Sequence, residues 1–292
     1  HYFFKGNGTE DNPFTIKNCT HLNNTRLFLN YSFVMYNDID MSVCTVDQWN
    51  GGNGFRPLGN ETTPFNGSFD GGAYTISNFY SNFTDCDYVG LFGYVEDADI
   101  GNLGMDQLNI SGGNYTGSLI GYANNTTIVK TFVRSNYSLE GNNVAGGLFG
   151  SFNNGTINES YARINVTGTT YGGIVGTLND AVVNYTYSSG DVTGGGGLIE
   201  SQTNSIINNS YYDNETSGTM ESGGGIGKNT SDLTSQSFWD TTNYSFPDIW
   251  FLDENQNDQY PILSIFTEIT PPLLRDVNYA GSKTQQLTRY LN

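Results

Sequence analysis

The chain has 292 residues and a formal net charge of −18, from 11 basic and 29 acidic side chains, a balance that repels polyanions and disfavours nucleic acid as a partner. Aromatics make up 14% of it and charged residues only 14%, with 37 Gly against 7 Pro, which excludes a disordered chain and fits an elongated all-β fold. No stretch approaches the roughly eighteen continuous apolar residues of a membrane span, so none is expected.

The first residues, HYFFKGNGTEDNPF, lack the basic-then-apolar layout of a signal peptide, and His1 is read as a processed N-terminus. The nearest approach to an amphipathic helix is the short run NCTHLNNTRLFL, from Asn18 to Leu29. Cys19, Cys44 and Cys86 all lie in the first third, and in an oxidising compartment two of them can pair. Cys44 and Cys86 each follow a strand-like segment in a polar loop and are the expected disulfide, with Cys19 buried and reduced. There is no C-x-x-C, and His1 and His21 are not spaced as ligands with the cysteines, so no zinc site is expected.

From Tyr88 onward an internal repeat governs the chain. YVGLFGYV at Tyr88 to Val95 recurs as YTGSLIGYA from Tyr115, VAGGLFGSF from Val144, YGGIVGTL from Tyr171 and GGGGLIES from Gly194. Leu91, Leu119, Leu148, Ile174 and Leu198 then align at solenoid spacing, with alternating β-type segments such as TIVKTFVRSNYSL from Thr127 between them. Each period reads as several short strands that bring the chain back over itself at about 4.8 Å per layer. The apolar residue of each G-L-x-G is expected to point into the core, with the flanking glycines making the corners.

These repeats resemble the GLUG motif of bacterial and archaeal surface proteins. Similar flanking segments are GTEDNPFTI from Gly8, YNDIDM from Tyr36, RPLGN from Arg56, FNGSFDGGAYTISNFY from Phe65 and, near the end, DIWFLDENQNDQYPIL from Asp248. The resemblance implies a right-handed parallel β-helix (solenoid) of stalk or adhesin type, single-stranded, all-β, with a non-repetitive C-terminal tail. It divides the chain into an N-terminal cap with first coils (1–87), repeat coils (88–231), a closing coil (232–265) and an extended tail (266–292). Glu200 replaces the final Gly of the fifth repeat, and regularity is expected to fade there. The tail is relatively basic and contains Pro271–Pro272; it reads either as a frayed end or as a strand crossing to a neighbouring subunit.

Asn-X-Ser/Thr occurs twenty times, at Asn7, Asn18, Asn23, Asn30, Asn60, Asn66, Asn82, Asn109, Asn114, Asn124, Asn125, Asn136, Asn154, Asn158, Asn165, Asn184, Asn208, Asn214, Asn229 and Asn243. Chance would give roughly seven. The excess points to export and N-glycosylation, set against the alternative that Asn and Thr simply favour turns.

No catalytic constellation emerges. Asp38 and Asp40 would share a strand face but are read as turn residues. Lys130, Arg134 and Arg163 do not form the basic cluster of a β-helix lyase and are read as solvated or locally paired. Asp253, Asn255 and Asn257 follow calcium-loop order, but the required Gly and bidentate Glu are missing. Tyr185, Tyr187, Tyr211 and Tyr212 form either a carbohydrate-binding stripe or, preferably, core ladders. The expectation is an extracellular, cell-surface structural protein and not an enzyme, without cofactor apart from the calcium option, partnered by its own copies head to tail, by its N-linked glycans and by external glycans or surfaces. The alternatives are a monomeric adhesin or carbohydrate-binding module and, behind it, a β-helix polysaccharide lyase or glycosidase.

Overall fold

A computed structural model describes residues 2–44 and 46–267. They form a parallel right-handed β-solenoid of about five turns. A representative turn runs from a lead-in strand, Tyr115–Gly117, to a motif strand, Ile120–Asn124, a short strand, Thr127–Val129, and a long bent strand, Phe132–Gly141.

Each element stacks in parallel on its counterpart one turn away. The motif column is Phe92–Glu96, Ile120–Asn124, Phe149–Asn153, Val175–Asn179 and Ile199–Thr203. Its register places Phe92, Ile120, Phe149, Val175 and Ile199 in one file, all fully buried. A second file, Ile100, Ile128, Ile157 and Val183, runs up the short column opposite. Burying one such side chain contributes roughly 1.5–3 kcal/mol, and because each file repeats per layer, every turn seals its neighbour. Leu91, Leu119, Leu148, Ile174 and Leu198 are buried as expected.

The motif glycines do not make the corners. Gly90, Gly117, Gly146 and Gly172 have ordinary negative φ, and their role is close approach between layers. A Cβ on Gly146 would lie 2.0 Å from the Phe149 carbonyl oxygen and 2.7 Å from that of Ile174. The corners fall instead to left-handed Asp97, Asn125, Asn154, Asp180 and Asn204 after the motif strand, and to Asn102, Lys130, Glu159, Tyr185 and Asn209 after the short strand. Asn and Asp tolerate this conformation because their short polar side chains bond locally.

The N-terminal end is capped. Phe14–Ile16 pairs with Ser32–Met35 on one side, and on the other the Phe4 and Thr15 amides donate to the Thr15 and Lys5 carbonyls. The helix Cys19–Asn24 begins where the Asn18 side chain accepts from the His21 amide, and Phe3, Phe14, Phe28 and Phe33 pack as one aromatic cluster.

Two expectations are corrected here. The disulfide joins Cys19 to Cys44, whose Cα atoms are 6.4 Å apart, and Cys86 is free. The helix turns Cys19 and Leu22 inward, placing Cys19 beside the turn Met41–Cys44. Cys86 belongs to the turn after Tyr80–Phe83, its carbonyl against Gly113, higher in the solenoid. The second correction concerns 232–265, which adds no coil. Helices Thr230–Leu233 and Gln236–Trp239 lead into an antiparallel pair, Trp250–Phe251 with Ile262–Leu263, outside the solenoid sheets. This segment lies on the flank as a cover, because the bent strands present outward a strip of large rings that needs burial. The tail from 268 to 292, including its reading as an inter-subunit strand, lies outside the described residues.

Candidate functional site

The corners explain part of the sequon pattern. In the short column Asn158, Asn184 and Asn208 are register partners. The Asn184 amide donates to Asn158 Oδ1 at 2.8 Å, and the Asn208 amide to Asn184 Oδ1 at 3.0 Å. Two residues after each stands a buried Ser160, Thr186 or Ser210, whose hydroxyl donates to the carbonyl of that same Asn at 2.9, 3.0 and 2.8 Å. Thr126 does the same for Asn124 at 2.9 Å. Ladder Asn, left-handed residue, buried hydroxyl is therefore a corner whose sequence is also a sequon. Fourteen of the twenty sequon asparagines are exposed; Asn23, Asn82, Asn124, Asn158, Asn184 and Asn214 are half-buried.

Beneath the cover, Phe132, Tyr161 and Tyr187 stack face to face with centroids 5.1 and 5.0 Å apart. Trp239, Tyr244, Trp250, Tyr260 and Leu263 close over them and over Tyr211. The Tyr187 hydroxyl donates to the Pro261 carbonyl at 2.5 Å and accepts from the Asn257 amide at 2.9 Å. Burial pushes the Tyr161, Tyr187 and Tyr244 phenols well above their usual range. Tyr187 and Tyr211 are thus ladder residues under a lid, Tyr212 belongs to the inner core, and Tyr185 packs on Tyr244. They form no exposed stripe.

The charged candidates serve the scaffold. Asp38 Oδ1 accepts from the Thr75 amide at 2.8 Å, and Asp40 Oδ1 from the Ser42 amide and hydroxyl and from Asn78. The Asn78 bond, then those of Ser42, lower the Asp40 pKa, so it remains a carboxylate fixing a turn. Arg134 pairs with Asp106 at 2.7 Å, and Lys130 with Glu159 at 3.4 Å in a nearly buried pair. For both Lys130 and Glu159, desolvation outweighs the partner's attraction, lowering the lysine and raising the glutamate. Arg163 reaches the cover, donating to Asn257 Oδ1 at 2.8 Å and pairing with Asp258. That guanidinium occupies the oxygen read as a third calcium ligand, while Asp253 caps its own turn through Asn255 and Gln256. Among the described residues, no group of three or more His, Cys, Asp or Glu is placed to hold a metal ion.

Sequence reasoning missed an array of four partly exposed tyrosines on the lead-in and motif columns. Tyr88 stacks on Tyr115 at 5.6 Å, Tyr94 on Tyr122 at 4.7 Å, and Tyr88 meets Tyr94 edge-on at 5.0 Å. Burial, then the neighbouring Tyr122 and the Glu96 carboxylate, push Tyr94 up to about 12. Tyr88 also lines a cleft of about 290 Å³ with Arg56, Asn60, Glu61 and Asp87. The signal was a tyrosine on each side of the glycines in the first two repeats, replaced by Val144 and Ser151 in the third.

The far end of the solenoid differs from the near one. Among the described residues Ile199–Thr203 pairs as a strand only with Val175–Asn179, and Ile206–Asn208 only with Val182–Asn184. Ile206, Met220 and Ile226 are 56%, 72% and 52% exposed. Glu200 and Glu221 flank this edge. No helix among the described residues is long and apolar enough to cross a membrane.

Fold, ladders and layered core define a parallel β-helix. Over 90% of its length the chain superposes on 96% of the crystal structure of a "putative immunoglobulin A1 protease" from Bacteroides ovatus, with TM-score 0.54 and 20% identity, a likeness of fold alone. It is 35% identical over 130 residues to Halomucin of Haloquadratum walsbyi and 35% over 136 residues to the "Putative Gly-rich membrane protein" of Evansella cellulosilytica. These stretches are 42% and 43% of this chain but only 1% and 15% of those proteins. No family model matches the chain.

Proposed function

We propose that this chain is an exported, N-glycosylated, non-enzymatic rod of a cell surface that assembles end to end. The observation carrying this reading is the far edge, which the chain covers only in part. Residues 221–224 cross only its start, where the Gly223 amide donates to the Ile199 carbonyl, and Ile226–Lys228 pairs on Tyr211–Asp213. Among the described residues, 201–203 and Ile206–Asn208 carry no further layer, and Ile206 and Ile226 stay exposed. An open β edge is a template for association unless blocked. The occupant is a second copy. Its cap offers exposed Tyr2, Phe4, Leu27 and Tyr36 with Lys5 and Lys17, opposite in charge to Glu200 and Glu221. Such a contact is heterologous and does not close, so it propagates. A mucin by name and a membrane protein by name among the relatives, together with the resemblance of the repeats to GLUG surface proteins, support the surface setting.

Sedimentation and electron microscopy of purified protein test assembly. Concentration-dependent rods are expected, and Ile206→Lys with Ile226→Lys should leave folded monomers. A wild type that stays monomeric at high concentration, or variants that assemble unchanged, would sink the reading.

A second reading, carbohydrate binding, is favoured by the tyrosine array beside the Arg56–Glu61 cleft, since sugar rings stack on flat aromatic faces. Tyr88→Ala should then abolish binding in a glycan-array screen; wild-type protein that retains no glycan eliminates it.

A further inference from the structure

We infer that the sequons fall into two physically distinct classes, and that glycans are carried at Asn109, Asn136 and Asn165 while Asn124, Asn158 and Asn184 stay unmodified as corner ladder residues. The inference rests on the reading of the chain as N-glycosylated and adds which positions take the modification.

A glycan acceptor must offer its amide nitrogen and the hydroxyl two residues on, because the sequon requirement means that the transferase reads both. At the ladder corners the Asn side chain is engaged along the stack and the hydroxyl is buried and committed. Asn184 is held from both sides, donating to Asn158 and accepting from Asn208. Its partner hydroxyl, on Thr186, is fully buried and committed to the Asn184 carbonyl. One layer down, Asn158 Oδ1 accepts from Asn184, and the fully buried Ser160 hydroxyl donates to the Asn158 carbonyl while accepting from the Thr131 amide. Asn124 Oδ1 accepts from Asn154 at 3.0 Å, its amide donates to Glu96 at 3.3 Å, and Thr126 is buried. Layers recur about every 4.8 Å, room for one amide and not for a sugar ring beside each.

The second class lies on a different column. Asn165 is the register partner of Ser138, and Asn109 precedes Ile110, the partner of Leu139. The two acceptors therefore share a column two layers apart, about 9.6 Å, with Asn136 in the bulge of the layer between. All three are exposed, and Ser111, Ser138 and Thr167 two residues on are only partly buried or exposed. The two-layer spacing leaves room for a sugar on each of Asn109 and Asn165, and Asn136, two residues before Ser138 and inside the bulge, is offset along the strand from their column, so the three make a glycan stripe along one edge of the rod.

The test is site-by-site occupancy of the full chain from a glycosylating host, by mass spectrometry of peptides, with the folded fraction isolated first. Glycan mass at Asn109, Asn136 and Asn165 and bare side chains at Asn124, Asn158 and Asn184 are expected. Glycan on Asn158 or Asn184 in folded protein overturns the division. Absence of glycan from every sequon overturns the glycosylation reading itself, a distinguishable result. Asn184→Ala and Asn136→Ala sharpen it: the first should lower the unfolding midpoint with no loss of glycan mass, the second should lose one glycan. Loss of glycan mass in Asn184→Ala, or unchanged mass in Asn136→Ala, refutes the assignment.

Discussion

Replacing Trp250 by alanine separates a flank cover from a solenoid coil. Trp250 is 1% exposed and its ring lies 6.2, 5.9 and 5.1 Å from those of Tyr161, Tyr187 and Tyr244. Removing ~200 Å² of buried aromatic surface at about 25 cal/mol per Å² costs about 5 kcal/mol as an upper bound, and truncations of this kind cost about 3–5 kcal/mol. Because the cover pairs with no solenoid strand, the loss should be felt locally, as detachment of 229–267, while the stacked coils persist. Hydrogen exchange reads this directly. The amides of Trp250 and Ser264, which donate to Ser245 and Ile249, should exchange roughly a hundredfold faster, about 3 kcal/mol of opening. Amides of Ile120–Asn124 and Phe149–Asn153 should hold their protection. An equal fall in those strands would mean that the cover is integral to the coil stack, and no change anywhere would mean that it does not depend on Trp250; either result refutes the reasoning.

Gly146→Ala should destabilise by about 1–3 kcal/mol or more through overpacking, seen as a lower denaturation midpoint, because its Cβ would meet the Phe149 carbonyl oxygen at 2.0 Å. Alkaline stability should fall as well. Tyr94 holds its proton to about pH 12 in the folded chain against 10 when unfolded, so its contribution is complete below pH 10 and is lost as pH rises through 12. The buried Tyr161, Tyr187 and Tyr244 shift in the same direction; phenolate absorbance should therefore appear late, together with unfolding, and early reversible ionisation of all tyrosines would refute the buried ladder. Without reductant, a maleimide should modify Cys86 alone, with Cys19 and Cys44 unreactive until reduction; labelling of Cys19 in native protein would restore the original pairing.

The solenoid itself was legible in the sequence because a parallel stack imposes the same demand on every layer. Leu91, Leu119, Leu148, Ile174 and Leu198 recur since each fills the same inward position, and the glycines recur since the next layer's backbone crowds each in turn. What the repeat could not convey is direction. Tyr161 and Tyr187 look from sequence like any inward ladder, and only the fold turns them outward under a cover built from Trp239 and Trp250, far away in the chain. The cysteine pairing depended on a helix that brings Cys19 to Cys44, a long-range approach that spacing does not encode. The sequons carried two meanings in one three-residue pattern: where the amide points along the stack to its counterpart, Asn-X-Ser/Thr is a corner, and where it points to solvent, it is open to a sugar. Sequence fixes residue order along one dimension, whereas that choice depends on which side chain stands 4.8 Å above, and only the stacked layers decide it.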